Sequence, residues 1–205
     1  FPEHQQLSGD YDIVKINQAL DKILASKEID IVLTLGEVAT NEVCQRKKIP
    51  KPVIAAKVID AQTQKLPSEK GTSGVVNLNY INTFSDFDRS FQAFLDIAPF
   101  SRVALVVDGF MVRSIPQLNG LGRRLANEFS MDVTVVQAET RIQPVLEQIP
   151  SETDAVFILP LPRLSQGEFQ KLVDGLITRR LPSFSFRGRK DVKKGLLTSI
   201  IPEDS

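Results

Sequence analysis

Apolar residues along the chain follow two patterns, short continuous runs and spacings of three and four residues. The run RVALVVD at 102–108, followed directly by a glycine, is typical of a central strand of a parallel sheet that is buried on both faces. Other apolar runs predict strands, and helical spacings predict helices between them. The strands are expected at 29–35, 52–59, 74–81, 132–137, 154–161, 182–186 and 195–201, and the helices at 13–24, 37–48, 85–98, 114–129, 142–149 and 165–180. Strands that alternate with helices in this way predict βαβ units and an α/β fold.

The alternation is interrupted once, and the interruption divides the chain. Residues 60–82 are polar, contain Pro67, Gly71 and Gly74, and show no helical period; an irregular stretch of this length is more often functional than idle. We therefore predict two doubly wound parallel-sheet lobes of flavodoxin- or Rossmann-like type, an incomplete first lobe at 1–90 and a second lobe at 91–189. Residues 190–205 would add one strand, which either closes the second lobe or crosses back to the first.

Charge and cysteine content exclude several classes of protein. The chain has 205 residues, and 25 Lys and Arg balance 25 Asp and Glu. Basic residues are scattered apart from the groups at 46–48, 123–124, 179–180 and 187–194, which argues against a nucleic-acid or anionic-membrane partner. The single cysteine, Cys44, excludes an internal disulfide framework and a multi-cysteine metal site. No apolar run approaches the roughly 20 residues of a membrane span.

Catalytic and cofactor motifs are missing from the sequence. The one histidine, His4, lies in a polar leader, so neither a Ser-His-acid triad nor a histidine-based zinc site is expected. There is no phosphate-binding GxxxxGK[ST] loop, and Gly120 and Gly122 fall within a helical pattern, where they do not form a dinucleotide fingerprint. We expect no metal, no cofactor and no enzymatic activity. The remaining enzymatic interpretation is an α/β enzyme with Asp108 or Glu37 as its general acid or base.

Polar and special residues follow the predicted strands, where ligands of open α/β sheets bind. The candidate ligand-binding residues are Gly36, Glu37, Ala39, Thr72, Ser73, Asp108, Phe110, Arg113, Pro162, Arg163, Ser185 and Arg187. Each has a local alternative. Glu37 and Asp108 could complement helix dipoles, the three arginines could be solvated, and Thr72 and Ser73 could only close a turn. The functional interpretation depends on the convergence of these residues at one edge of two lobes.

Five stretches carry a resemblance to a known family: IDIVLTLGEVATNEVCQRKKIPKPVIAAKVID, GTSGVVNLNYIN, RVALVVDGF with its following helix, ETDAVFILPLPRLSQGEFQKLV and LPSFSFRGRKDVKKGLLTSIIPEDS. The chain resembles the substrate-binding proteins of ABC transporters with a type I periplasmic-binding fold, in the branch of tryptophan- and tyrosine-type receptors. Within that branch it is most similar to predicted receptors found alongside outer-membrane efflux components. The resemblance covers nearly all of residues 11–205.

The resemblance implies a non-catalytic periplasmic or extracytoplasmic receptor. Two lobes joined by hinges would hold a small polar or anionic molecule between them, and closure would couple occupancy to recognition by a membrane permease or efflux component. It also implies that the strand from about residue 195 crosses back to the first lobe. Further elements would precede Phe1 and follow Ser205, so the chain would be an internal fragment without its signal segment.

One departure from the family pattern bears on the ligand. Relatives that bind amino acids often carry an acidic or amide residue after the strand that matches 154–161, whereas this sequence has Pro160, Leu161, Pro162 and Arg163 there. Arg163 and Arg187 suit a carboxylate or another anion, because guanidinium groups bind such ligands through two hydrogen bonds. The alternatives that remain open are a sensor or adaptor of the same fold that binds a protein in an efflux or signalling complex, and the α/β enzyme named above.

Overall fold

The computed structural model describes residues 6–82 and 87–199, which form two compact α/β units. The first unit comprises the described residues up to 82 together with Ser114–Leu118, and the second comprises the rest. Among the described residues, no helix is both long and apolar enough to cross a membrane, and no group of His, Cys, Asp and Glu is arranged to hold a metal ion.

The first unit is a small parallel sheet with two helices. Its elements are α1 (Ile13–Ala25), β1 (Val32–Thr34), α2 (Glu37–Cys44), β2 (Val53–Val58) and β3 (Leu78–Asn82), and the strands lie in the order β1-β2-β3, all parallel. Asp12 caps α1 because its carboxylate accepts hydrogen bonds from the N–H groups of Val14 and Lys15. Strand β1 and helix α2 are both shorter than the predicted 29–35 and 37–48.

Burial in the first sheet follows the two-residue period of a strand. Val32, Val53 and Leu78 are cross-strand neighbours and pack in one core with Leu20 and Leu24 of α1. Side chains on the opposite face of the sheet are exposed to solvent: Leu33 and Ile81 are each 56% exposed. Among the described residues, helices therefore cover one face of this sheet and leave an apolar face uncovered.

The second unit contains the larger sheet. Its elements are α3 (Phe87–Ile97), β4 (Arg102–Asp108), α4 (Gly109–Ser114), α5 (Leu121–Phe129), β5 (Asp132–Ala138), α6 (Gln143–Gln148), β6 (Ala155–Ile158), α7 (Gln166–Thr178), β7 (Ser183–Ser185), α8 (Arg189–Val192) and β8 (Thr198–Ser199). Between α4 and α5 lies a 3₁₀ turn (Pro116–Gly120), and Ser114–Leu118 of this connection belong to the first unit. The strand order is β5-β4-β6-β7-β8, and every pair is parallel. This is the flavodoxin-type order of a doubly wound sheet.

Both faces of this sheet are packed. Residues Val103 to Asp108 are all buried, so the predicted central strand is confirmed. One face packs against α6 and α7. On the other face Phe157 stacks on Phe184 with ring centroids 4.6 Å apart, and Phe91 of α3 lies 5.1 Å from Phe157. Phe87, Phe91 and Phe94 of α3 are all buried, so this helix contributes its aromatic side chains to the core.

Two predicted elements differ from the structure. The single helix expected at 114–129 is divided into α4, a 3₁₀ turn and α5, since Pro116 interrupts regular helical hydrogen bonding. The segment that was expected to form a strand crossing back to the first lobe instead contains α8 and β8. Strand β8 pairs with β7, with Thr198 opposite Phe184. The Ser199 hydroxyl holds it there by donating to the carbonyl of Ser185 at 2.6 Å. Residues from 200 onward lie outside the described part of the chain.

Candidate functional site

The second sheet has a topological switch point between β4 and β6, where the order of the strands reverses. From β4 the chain crosses to β5 on one side, and it then returns to place β6 on the other side. In doubly wound sheets this change opens a crevice at the carboxyl ends of the two strands, and ligands bind there. Asp108 is the last residue of β4, and Arg163 lies in the loop after β6. Both were predicted as site residues, and they meet at this point.

Asp108 is the buried anchor of the group, with 1% of the residue exposed. One carboxylate oxygen accepts hydrogen bonds from the N–H groups of Phe110, at 2.8 Å, and Met111, at 3.3 Å. The Nε of Arg163 lies 3.0 Å and 3.1 Å from the two carboxylate oxygens. Burial raises the pKa of the Asp108 carboxyl above its ordinary value, and Arg163 and the two backbone donors oppose that rise. Asp108 thus caps α4 and fixes Arg163 at the same time.

The planar guanidinium group of Arg163 contacts three acceptor groups. Besides Asp108, its Nη1 contacts the Glu139 carboxylate at 2.8 Å and its Nη2 donates to the carbonyl of Ala138 at 3.3 Å. Its guanidinium carbon lies 5.9 Å from the centre of the Phe110 ring, and 12% of its side chain is exposed. Arg163 is therefore a structural bridge between the ends of β4, β5 and β6, and its donors are largely occupied.

Glu139 is the member of this group that sequence reasoning missed. It follows β5 directly, the same signal that singled out Asp108 after β4. Arg113 and Arg163 both bond its carboxylate and lower its pKa. A Cβ atom on Gly109 would lie 2.3 Å from Glu139 Oε1. The absence of a side chain at Gly109 therefore leaves space for the Glu139 carboxylate.

The exposed part of this group offers opposite charges side by side. The Arg113 and Glu139 side chains are 57% and 50% exposed, whereas Asp108 and Arg163 lie beneath them. Two carboxylates and two guanidinium groups leave the group with no net charge. We call Asp108, Phe110, Arg113, Glu139 and Arg163 the switch-point cluster. It presents one cation, one anion and a half-buried aromatic ring, which is the chemistry needed to orient a small polar solute.

Ser185 and Arg187 lie further along the same edge, at the end of β7. Ser185 is buried, and its hydroxyl donates to Asp191 Oδ2 at 2.8 Å. Asp191 is completely buried, and its Oδ1 has no hydrogen-bond partner in the described part of the chain. Arg187 Nε is 3.9 Å from that oxygen. Ser185 therefore holds α8 in place, and Arg187 is 44% exposed at the edge.

The first unit holds other predicted residues at two different places, Gly36, Glu37 and Ala39 after β1 and Thr72 and Ser73 before β3. Gly36 is the residue before α2, Glu37 begins that helix, and both Glu37 and Ala39 are half-buried. Thr72 and Ser73 belong to the loop before β3. The Thr72 hydroxyl donates to the carbonyl of Glu69 at 2.9 Å, and the buried Ser73 hydroxyl bonds the carbonyl of Leu78.

The structure thus assembles part of the predicted set. Asp108, Phe110, Arg113 and Arg163 come together, and Pro162 is exposed beside them on the chain. The loop around Thr72 and Ser73 borders an open hollow of about 320 Å³ lined by residues 72–79. Convergence of the two units on one ligand stays a prediction.

Comparison with known proteins identifies the fold. No family model matches the chain, and no curated protein does. A solved structure of an ABC domain in complex with L-Trp from Streptococcus pneumonia matches with a TM-score of 0.64 and 16% identity, over 93% of this chain and 66% of that one. A conserved domain protein from Vibrio cholerae matches with a TM-score of 0.62 and 16% identity, over 91% of this chain and 61% of that one.

A third solved structure has the same fold. The solute binding protein of an ABC transporter from R. palustris, in complex with benzoate, matches with a TM-score of 0.61 and 12% identity, over 92% of this chain and 53% of that one. The chain spans between 53% and 66% of the lengths of these three proteins. At least 91% of this chain is covered in each of the three matches. The chain therefore has the fold of ABC-transporter substrate-binding proteins.

Proposed function

We propose that the chain is the solute-binding part of an extracytoplasmic receptor of an ABC-type transport system, and that it is not catalytic. The observation that carries this proposal is the switch-point cluster, which lies where the sheet changes its winding and where doubly wound folds bind ligands. The shared fold with solute-binding proteins supports it. A periplasmic location and delivery to a membrane permease or efflux component belong to the same proposal.

The cluster favours a small carboxylic acid as the solute, with an amino-acid-like molecule among the candidates. The exposed guanidinium of Arg113 donates to Glu139 through Nη1 and Nη2, and its remaining N–H groups can donate to the carboxylate of a solute. Glu139, beside it, can accept from an ammonium or hydroxyl group, and it supplies the acidic partner that the loop at 160–163 lacks. Phe110 offers an apolar surface. L-Trp and benzoate, the ligands of two proteins of this fold, each combine a carboxylate with an aromatic ring.

The geometry at Asp108 argues against an enzyme. A general acid or base must reach the proton that it transfers. The Asp108 carboxylate is buried and is already bonded by Arg163, Phe110 and Met111, so no face of it is open to a substrate. Glu37 is half-buried at the start of a helix, where it complements the helix dipole. Neither carboxylate combines desolvation with access.

The experiment is a thermal-shift screen of the chain against amino acids, aromatic and aliphatic carboxylates, nucleosides and sugars, followed by calorimetric titration of the solutes that stabilise it. A solute at 100 times its dissociation constant should stabilise the folded state by about 2.7 kcal/mol. We expect carboxylates to give the largest shifts. If no solute stabilises the protein, the receptor proposal fails and a protein-binding sensor of the same fold becomes the better interpretation.

Two variants localise the binding. Arg113→Gln and Glu139→Gln should each weaken binding at least tenfold, because each removes a charged contact at the cluster. Arg102→Gln is the matched control, since Arg102 forms a comparable exposed ion pair with Asp154 at the amino end of the same sheet. Equal losses in all three variants would refute a site at the carboxyl edge.

A further inference from the structure

A strongly basic surface lies beyond the switch-point cluster, at the connection between β7 and β8. Residues 187–194 contain five basic residues and one acidic residue, a net charge of +4 in a chain whose total is zero. The acidic residue, Asp191, is completely buried and faces Ser185. The cations point outward: Arg189, Lys190 and Lys193 are exposed, and Lys194 is half-buried.

Five arginines elsewhere in the described chain are held in close ion pairs. Arg46, Arg102, Arg113, Arg124 and Arg163 each form an ion pair at 3.0 Å or less. Among the described residues, Arg189, Lys190, Lys193 and Lys194 form none. Arg187 and Lys194 instead lie over the Phe169 ring, at 5.3 Å and 4.9 Å from its centre. Within the described part of the chain, four of the five cations of this segment therefore have no ion-pair partner.

Apolar side chains lie among these charges. Val192 is 40% exposed, Leu197 is 50% exposed and Ile177, at the end of α7, is 54% exposed. Ile177 adjoins the turn after α8, because a Cβ atom on Gly195 would lie 2.7 Å from its Cδ1 atom. We call Ile177, the segment 187–194 and Leu197 the basic surface. Flexible cations around exposed aliphatic groups are typical of proteins that bind the interface of an anionic bilayer.

We propose that the basic surface docks on an anionic lipid bilayer. A bilayer presents a broad negative field, which suits spread and exposed cations, whereas a small anion needs donors that converge on one buried point. Most basic residues are scattered along the sequence, which argues against a membrane partner, but the group at 187–194 is an exception. In the described part of the chain its ion pair is that of Arg187 with the buried Asp191, at 3.9 Å, and its other four cations form none. Because the chain has no net charge, the remaining surface is negative and is repelled, which fixes the orientation of docking. This proposal does not depend on solute binding.

The test is co-sedimentation of the protein with vesicles of phosphatidylcholine, with and without phosphatidylglycerol, at low and high salt. We expect binding only to the anionic vesicles, with loss at high salt. Each surface cation contributes about fivefold to binding, so the triple change Arg189→Gln, Lys190→Gln and Lys193→Gln should weaken binding by about 100-fold. The matched control neutralises Lys22, Lys27 and Lys57, which are exposed in the first unit, and should retain binding.

A second measurement follows the aliphatic part of the surface. The chain has no tryptophan, so Leu197→Trp introduces a single reporter whose emission should shift to the blue with anionic vesicles. Val76→Trp, at a position that is 82% exposed in the first unit, should not shift. Equal weakening by both triple variants, a shift at Val76, or equally tight binding to polyglutamate would overturn the assignment to a lipid surface.

Discussion

Removal of Arg163 tests whether the switch-point cluster is an electrostatic unit. Arg163→Gln leaves the Asp108 carboxylate, 1% exposed, without the guanidinium that contacts both of its oxygens. Breaking a buried ion pair from one side costs about 3–5 kcal/mol, because the remaining charge is buried and unpaired. With a urea dependence of about 2–3 kcal/mol/M for a chain of this size, the unfolding midpoint should fall by roughly 1–2 M.

The companion change Asp108→Asn should cost less. The asparagine oxygen can still accept from the N–H groups of Phe110 and Met111, and Arg163 keeps Glu139 as its partner. We expect a loss of about 1–2 kcal/mol, and the double variant should be more stable than the sum of the single losses predicts, by about 1–3 kcal/mol. Urea denaturation followed by circular dichroism measures all four proteins.

The pH dependence of the stability of Arg163→Gln is an independent test of the same ion pair. Burial already raises the pKa of Asp108 in the wild type, and Arg163→Gln removes the main charge that opposes that rise. A carboxyl whose folded pKa exceeds its unfolded value near 3.9 binds its proton more readily in the folded state, so stability falls as pH rises through that range. The deficit of the variant should therefore shrink between pH 8 and pH 5. Additive single losses, or a deficit that is the same at both pH values, would refute the reasoning.

Three further predictions concern the cores. Val32→Ala should cost about 1–3 kcal/mol in urea denaturation, whereas Leu33→Ala should cost less than about 0.5 kcal/mol, since Val32 is buried and Leu33 is 56% exposed; equal costs would contradict the register of β1. Burial raises the pKa of the Cys44 thiol to about 12, so a thiol reagent at pH 8 should label the native protein far more slowly than the urea-unfolded protein, and labelling at equal rates would contradict burial. Phe157→Ala, at the centre of the phenylalanine cluster, should cost about 3–5 kcal/mol in the same assay, and a cost below 1 kcal/mol would contradict that position.

Much of the second unit follows from sequence because its signals are local. The run at 102–108 is apolar without a break, and a strand can keep such a run only if both of its faces are buried. The alternation of runs and helical spacings then leads to a parallel doubly wound sheet, since parallel strands need crossover helices. Asp108 could be selected from its position after a strand, and it does occupy the sheet edge where the winding changes.

Other features depended on contacts between residues distant in sequence. Glu139 gains its place from Arg113 and Arg163, which are 26 and 24 positions away, and nothing local distinguishes it from other strand-end carboxylates. From the sequence, Arg163 was expected to bind an anionic ligand. In the structure it is largely buried and bridges Asp108 and Glu139. The chain after 190 was expected to leave the second unit, and only its pairing with β7 shows that its described part stays there.

The sequence by itself therefore determined most of the elements and their parallel alternation, because propensity and periodicity act over a few residues. The tertiary structure decided which strand-end groups meet, which charges are neutralised and which remain exposed, because the electrostatics of a group depend on neighbours that the fold brings together. For this reason the switch-point cluster and the basic surface differ in kind, although both are rich in arginine or lysine. The first is an internally balanced network, and the second carries four cations that form no ion pair in the described part of the chain.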